Sequence, residues 1–387
     1  MKIAVLKERR AFEKRVAITP EVVKKLSAKG CDVSIEADAG LSSRISNEDY
    51  TAAGAEVLAD PVAVVANADV LLKVQRPLTG GEGELDELEL LAPGTALLSV
   101  LSPYNAPQSV AAYAKAGITA MAMEFVPRIT RAQTMDVLSS QANLAGYRAV
   151  LEATYLYDRA MPMMMTAAGT IAPAKVMVLG AGVAGLQAIA TARRLGAIVS
   201  ATDVRPASKE QVESLGAKFV MVDSKEMENA ETEGGYAKEM SDDFKRKQAE
   251  LVAATLAKQD IVICTALIPG KKAPTLINDD MVHSMRAGSV IVDLAVEQGG
   301  NCTLSELGKV ADVGGVRIVG YHNMPGRLAA DASALYARNL LAFLEPHIDS
   351  ESKTLNLDWG DEVVAATLLT RDGAIVHSEF VNSIEEA

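Results

Sequence analysis

The sequence predicts the α/β class, with two doubly wound domains of parallel sheets joined by long helices and a cleft between them. Two observations carry this reading: short apolar runs alternate with helical spacing along almost the whole chain, and the runs fall into two successive series. Length is the third. The chain has 387 residues, more than one core usually organises at roughly 100–200 residues per domain. With 49% hydrophobic and 23% charged residues, the composition is that of a compact soluble protein and not of a disordered one. A single Trp and six Phe leave an aliphatic interior.

The first series is KIAVLKE at the start, CDVSIEADAG from residue 31, DVLLKVQRP from 69, TALLSVLSP from 95 and ITAMAMEF from 118. The second is KVMVLGAG from 175, AIVSATDVR from 197, DIVICTALIPG from 260, SVIVDLAVEQGG from 289 and VRIVGYHNMPG from 316. Between them RITRAQTMDVLSSQANLAGYRAVLEATYLYDRA, residues 128–160, has helical spacing in its second half and few breakers, so it bridges the domains. After Pro325 and Gly326, ADASALYARNLLAFLEPHI reads as an amphipathic helix. The polar tail beyond it has strand-like runs at VVAATLLT and AIVHSEF and is expected to return to the first domain. The expected boundaries are therefore 1–137 with 328–387 for the first domain and 138–327 for the second. Residues 224–250 are charged and carry Gly234 and Gly235 beside Tyr236, the pattern of a mobile loop followed by a helix.

Several function classes fall away on composition. A formal net charge of −12 opposes a nucleic-acid footprint and an anionic membrane surface, both of which gather Lys and Arg. Cys31, Cys264 and Cys302 are widely spaced and lie in no Cys/His cluster, so neither a disulfide framework nor a metal site is expected, and a reducing cytosol fits. The Met- and Ala-rich segment 161–192 is interrupted by Pro162, Pro173, Lys175 and three glycines too soon for a membrane span. The first residues enter a strand pattern without the apolar core of a signal peptide.

The most informative motif is GAGVAG, with Gly180, Gly182 and Gly185, which directly follows the strand-like VMVL and opens the helical VAGLQAIATARRL. In a Rossmann-like unit the first Gly makes the tight turn and the second lets a pyrophosphate approach the backbone. The third lets helix and strand pack closely, with the anion at the helix N-terminus. Asp203 ends the next apolar run at nearly the spacing where a carboxylate accepts hydrogen bonds from the adenosine ribose and repels a 2′-phosphate. That pattern points to NAD over NADP, with Arg205 as the open alternative, since an Arg there can serve a 2′-phosphate.

Other candidates keep two readings. Arg128, Arg131, Gln133, Asp136 and Ser139 are either a solvated helix start or a polar set facing the cleft, in which Gln133 and Ser139 offer donors and acceptors to a carboxamide. Arg15, Lys73 and Arg76 sit beside expected strand ends, as exposed cations or as binders of a substrate carboxylate. Asp293 and Glu297 are cleft acids or loop-fixing carboxylates. None of the four histidines, His283, His322, His347 and His377, accompanies Lys73 or Arg15 in sequence, and no GxSxG, HExxH or P-loop is present.

RVAITPEVVKKL, KVQRP, RITRAQTMDVLSSQANLAGYRAV, PMMMTAAGTIAPAKVMVLGAGVAGLQAIATARRLGA, TDVR, GGYAKEM, TALIPGKKAP, VDLAVEQGGN and ADASALYARNLL together resemble the NAD(H)-binding component of proton-translocating transhydrogenases, over about residues 1 to 380. That family is similar to alanine dehydrogenase, which shares the RVAITP start and the Lys of KVQRP but carries a His in the segment that here reads LLSVLSPYN, and an Asp where this chain has Glu297. The resemblance implies direct hydride transfer between NAD(H) on this chain and NADP(H) on a partner subunit, coupled to proton translocation by membrane subunits. Such a transfer adds no proton to a substrate, which is consistent with the missing His. It implies catalytic positioning by Arg128, Gln133, Asp136 and Ser139. It implies nucleotide binding by Gly180, Gly182, Val183, Gly185, Asp203, Val204, Arg205, Gly235, Tyr236, Ala266 and Leu267, with Tyr236 on a loop that closes over the nucleotide. It further implies a homodimer, without membrane insertion, on the cytoplasmic face of the inner membrane, in the arrangement where membrane and NADP-binding parts are separate chains. The rivals are an alanine dehydrogenase-like amino-acid dehydrogenase and a non-catalytic NAD-sensing module.

Overall fold

Apolar residues at consecutive positions of each short run bury both faces of the strands, and that property builds the two sheets. The computed structural model describes residues 1–205, 207–222, 241–268, 270–349 and 351–381. These divide into two compact units, residues 1–141 with 326–387 and residues 142–325. In chain order the strands are β1 (Lys2–Val5), β2 (Asp32–Glu36), β3 (Glu56–Leu58), β4 (Val70–Gln75), β5 (Ala96–Val100) and β6 (Thr119–Ala122). There follow β7 (Met164–Thr166), β8 (Gly169–Ile171), β9 (Lys175–Leu179), β10 (Ile198–Thr202), β11 (Lys218–Phe219), β12 (Ile261–Cys264), β13 (Val290–Asp293), β14 (Val310–Val313) and β15 (Val316–Val319). The last are β16 (Ile348–Asp349), β17 (Thr354–Leu355), β18 (Leu368–Arg371) and β19 (Ala374–Ile375).

Among the described residues the first unit holds an eight-stranded sheet in the order β19-β18-β6-β5-β4-β1-β2-β3. Its six N-terminal strands pair in parallel in the doubly wound order, with β1 and β4 at the centre. Along β1, Ile3 and Val5 enter one core cluster while Ala4 and Leu6 enter another, so alternate residues serve opposite, equally buried faces. The second unit repeats the plan as β11-β10-β9-β12-β13-β15-β14. In β9, Val176 and Val178 pack on one side and Met177 and Leu179 on the other. Both units are thus mixed α/β, parallel-dominated and Rossmann-like. In each, the strand order reverses beside the central strand, the place where ligands bind in open α/β sheets.

The sheets depart from the expected all-parallel form. β14 is antiparallel to β15, β18 to β6, and β19 to β18, because short turns join or return these strands without a crossover helix. The run VVAATLLT is not one strand. Asp361 accepts hydrogen bonds from the Val363 and Val364 amides and caps a helix, Glu362–Thr367, and only Leu368–Arg371 is extended. In AIVHSEF the strand is limited to Ala374–Ile375, and Ser378–Val381 is helical. Met164–Thr166 and Gly169–Ile171 form an exposed hairpin. The helix Val137–Leu156 runs through the point where the two units divide. No helix among the described residues is long and apolar enough to cross a membrane.

Candidate functional site

The glycine turn of the second unit has three different reasons for its three glycines. Gly180, at the end of β9, has φ +98, and a Cβ there would lie 2.7 Å from Thr265 Oγ1, whose hydroxyl donates to the Gly180 carbonyl at 2.9 Å. Gly185 is helical, and a Cβ on it would lie 1.9 Å from the Gly180 carbonyl oxygen, so close packing alone forbids a side chain. Gly182 caps the helix Val183–Arg194 with φ −76 and ψ −166, and a Cβ there would meet nothing nearer than Arg205 Nη2 at 3.9 Å. The space above Gly182 is therefore open, as the approach of a pyrophosphate to the backbone requires. Val183 is exposed at the first helical position. Gly146 packs against the start of this helix: a Cβ on it would lie 2.0 Å from the Ala184 carbonyl oxygen. That contact was invisible in the sequence, where Gly146 is one small residue in a helical run.

Asp203 follows β10 and is tied to the turn. Its Oδ2 accepts from the Ala181 amide at 2.7 Å and from Arg205 Nη2 at 2.9 Å, and its Oδ1 accepts from the Arg205 amide and Nε, each at 2.9 Å. Burial alone would push this carboxyl up, but the Arg205 and Ala181 hydrogen bonds outweigh it and hold it below the usual range. Arg205 is thus engaged with Asp203, and Val204 is the half-buried residue between them.

The end of β12 brings a third segment to the same sheet edge. The Ala266 amide donates to Asn301 Oδ1 at 3.1 Å, and Asn301 Nδ2 donates to the carbonyls of Ala266 at 2.9 Å and Pro274 at 2.8 Å. Leu267 is exposed beside it. Asp293, fully buried, accepts from the amides of Ala295, Asn301 and Cys302 and from the Ser305 hydroxyl. It is the loop-fixing carboxylate of the two readings. Glu297 accepts from the Asn323 amide at 3.2 Å, with His322 Nδ1 3.8 Å away. Gly235 and Tyr236 lie outside the described residues.

In the first unit RITRAQTMD forms a 3₁₀ helix over Thr130–Met135. Asp136 accepts from the Ser139 amide at 2.8 Å and hydroxyl at 2.5 Å, which fixes the entry to the long helix. Arg131 is exposed and pairs with Asp361 and Glu362. Arg128 is exposed as well. The Gln133 side chain is exposed and makes no hydrogen bond among the described residues, so its carboxamide is available in full.

Lys73 and Arg15 are not exposed strand-end cations. The Lys73 side chain is 1% exposed, with Nζ 3.0 Å from Glu87 and 3.6 Å from Glu8. Arg15, also buried, meets Glu13 through Nε at 2.8 Å and Nη2 at 2.7 Å, and Gln141 through Nη1 at 2.8 Å. Their partners are therefore carboxylates, amides and carbonyls, and no imidazole is among them in the described residues. Arg76 pairs with Glu82 at 2.5 Å. Glu8 has one oxygen bonded to the Val74 amide and the other, Oε2, buried without a hydrogen bond, and burial pushes its carboxyl up to about 7. Sequence reasoning missed Glu8, Glu13 and Glu87, since strand-end patterning marks the cations but not which acids fold over them.

Residues 4–145 match the family model Alanine dehydrogenase/PNT, N-terminal domain, and residues 149–378 match Alanine dehydrogenase/PNT, C-terminal domain. The chain is 58% identical over 377 residues to an NAD(P) transhydrogenase subunit alpha of Rhodospirillum rubrum, covering 97% of this chain and 98% of that one. It is 33% identical over 305 residues to alanine dehydrogenase of Methanococcus maripaludis, covering 78% of this chain and 74% of the relative. The crystal structure of transhydrogenase from Sinorhizobium meliloti superposes with a TM-score of 0.87 at 54% identity, over 97% of this chain and 100% of the other.

Proposed function

This chain belongs to the alanine dehydrogenase/PNT family, and from that membership we propose that it is the NAD(H)-binding component of a proton-translocating transhydrogenase. A hydride passes directly between NADH on this chain and NADP⁺ on a separate subunit, and membrane-spanning subunits couple that transfer to proton movement. The observation that supports this reading best is a combination: an intact dinucleotide turn with its acid, and basic residues in the other unit whose polar partners include no imidazole among the described residues. A hydride leaves with its electron pair, so the C–H bond lost by one nicotinamide is formed on the other. No proton has to be delivered to a substrate carbonyl or amine.

The residues divide the work accordingly. Gly180, Gly182, Val183 and Gly185 receive the pyrophosphate, Asp203 with Val204 and Arg205 takes the adenosine ribose, and Ala266, Leu267, Gly235 and Tyr236 complete the nucleotide site. Arg128, Gln133, Asp136 and Ser139 aim the nicotinamide. An unengaged Gln133 carboxamide suits that task, since it presents a donor and an acceptor complementary to the nicotinamide amide, and Asp136 with Ser139 stiffens the turn that carries it. The protein acts as a homodimer on the cytoplasmic face of the inner membrane, with NADP(H)-binding and membrane-spanning partner subunits.

An alanine dehydrogenase-like activity is the rival, favoured by the presence of Lys73 and Arg15. The two are separated by fluorescence titration with NADH alongside an assay with NAD and alanine. Saturable NADH binding with negligible alanine oxidation is expected. Robust alanine turnover would assign the chain to the dehydrogenases instead.

A further inference from the structure

A carboxylate offers four lone-pair directions, and in Asp203 all four are filled by donors of the protein itself. Two are backbone amides, Ala181 from the glycine turn and Arg205, and they hold the carboxylate in place. The other two are Nε and Nη2 of one guanidinium, laid on the two oxygens as a fork, with 23% of the Arg205 side chain and 8% of the Asp203 side chain exposed. Two donors side by side are also what a ribose 2′,3′-diol supplies. Moreover, Arg205 Nη2 is the atom nearest to where a Cβ on Gly182 would stand, so the guanidinium reaches over the open side of the glycine turn.

We propose that Arg205 is a displaceable stand-in for the adenosine ribose diol and, through that pairing, a specificity determinant of the nucleotide site. The inference rests on the assignment of this turn to NAD(H). When the diol binds, its hydroxyls replace Nε and Nη2 on Asp203, and the guanidinium turns outward from its partly exposed position. A 2′-phosphate gains nothing from the same exchange. It would have to draw Arg205 away while lying against a carboxylate stripped of its cation, and like charges at that range repel. Arg205 therefore does not act as a phosphate binder while Asp203 is present, although an Arg at this place could be one.

Two sets of variants test this, with NADH and NADPH titrations of the folded full-length chain, each checked by its melting curve. Arg205→Ala should tighten NADH binding about three- to tenfold, the worth of a hydrogen-bonded fork that no longer has to be displaced. Arg205→Lys, which keeps the charge without the fork, should fall between. Asp203→Ala should let NADPH bind measurably, and Asp203→Ala with Arg205→Ala should lose that gain. Unchanged or weaker NADH binding in Arg205→Ala, or an NADPH gain that survives in the double variant, would overturn the proposal. If the unmutated, folded chain binds neither nucleotide, the NAD(H) assignment itself fails. Should Arg205→Ala not fold, the Lys variant and the two Asp203 variants carry the decision.

Discussion

Replacing Gly182 by Ala separates nucleotide binding from folding. The added Cβ would have no neighbour closer than 3.9 Å, and the residue's φ of −76 and ψ of −166 are open to any side chain. Stability should then change by no more than about 0.5 kcal/mol, or rise by about 0.4–1 kcal/mol because Ala restricts the unfolded chain. The methyl would instead occupy the side from which a pyrophosphate reaches the backbone. Pushing that anion out by about 1 Å removes one or more charge-assisted hydrogen bonds, each about 1.5–3 kcal/mol, which corresponds to roughly a 10- to 100-fold weaker Kd for NADH. Gly185→Ala is the contrast. Its Cβ would lie 1.9 Å from the Gly180 oxygen where ordinary contact begins at 3.4 Å, so helix and strand must part by about 1.5 Å and stability falls as well. Thermal unfolding and NADH titration on both variants provide the assay. If Gly182→Ala bound NADH as tightly as the unmutated chain, the anion would not approach at this turn and the reasoning would fail.

Gln133→Asn should slow hydride transfer by up to about 100-fold while NADH affinity changes little, because the shorter side chain misplaces the nicotinamide by about 1 Å and leaves the adenosine half held; a proportional fall in rate and affinity would make Gln133 an ordinary binding residue. Glu8→Gln should show a pH-dependent gain in stability. The folded carboxyl is raised from 4.5 to about 7 by burial, so its contribution is fully present below the unfolded value and is lost as pH rises through the folded one. Denaturant unfolding from about pH 5 to about pH 8 should shift the difference between variant and unmutated chain by about 2–3 kcal/mol in favour of Gln, and a difference independent of pH would show that Glu8 is ionised throughout.

Much of the fold was legible because its physics is local. Runs such as KVMVL and DVLLKV are apolar on both faces, which only a doubly covered strand tolerates, and GAGVAG lies where a strand must turn into a helix. β3 and β11 were missed because three and two residues carry no period. The helix Glu362–Thr367 did have a signal, Asp361 before an acidic first turn, but the β-branched Val363 and Val364 drew the reading toward a strand. The nucleotide turn and Asp203 were readable from spacing alone. What spacing could not supply is which groups meet across long separations: Lys73 with Glu87 and Glu8, Arg9 with Glu36 and Glu87, Asn301 with Ala266. Nor could it show that Arg205 lies on Asp203, because a flexible guanidinium two residues away can turn either to the carboxylate or to solvent.

The central claim is that this chain carries one partner of a hydride exchange whose other partner sits on a different protein. It is tested most directly by following reduction of an NAD analogue by NADPH, with catalytic NAD(H) present, using this chain alone, an NADP(H)-binding transhydrogenase subunit alone, and the two mixed. The account predicts near-inert components and turnover in the mixture, with the nicotinamides brought to about 3–3.5 Å. Silence in a mixture containing a competent partner subunit, from a chain that still binds NADH, would contradict it and leave a module that only senses the nucleotide.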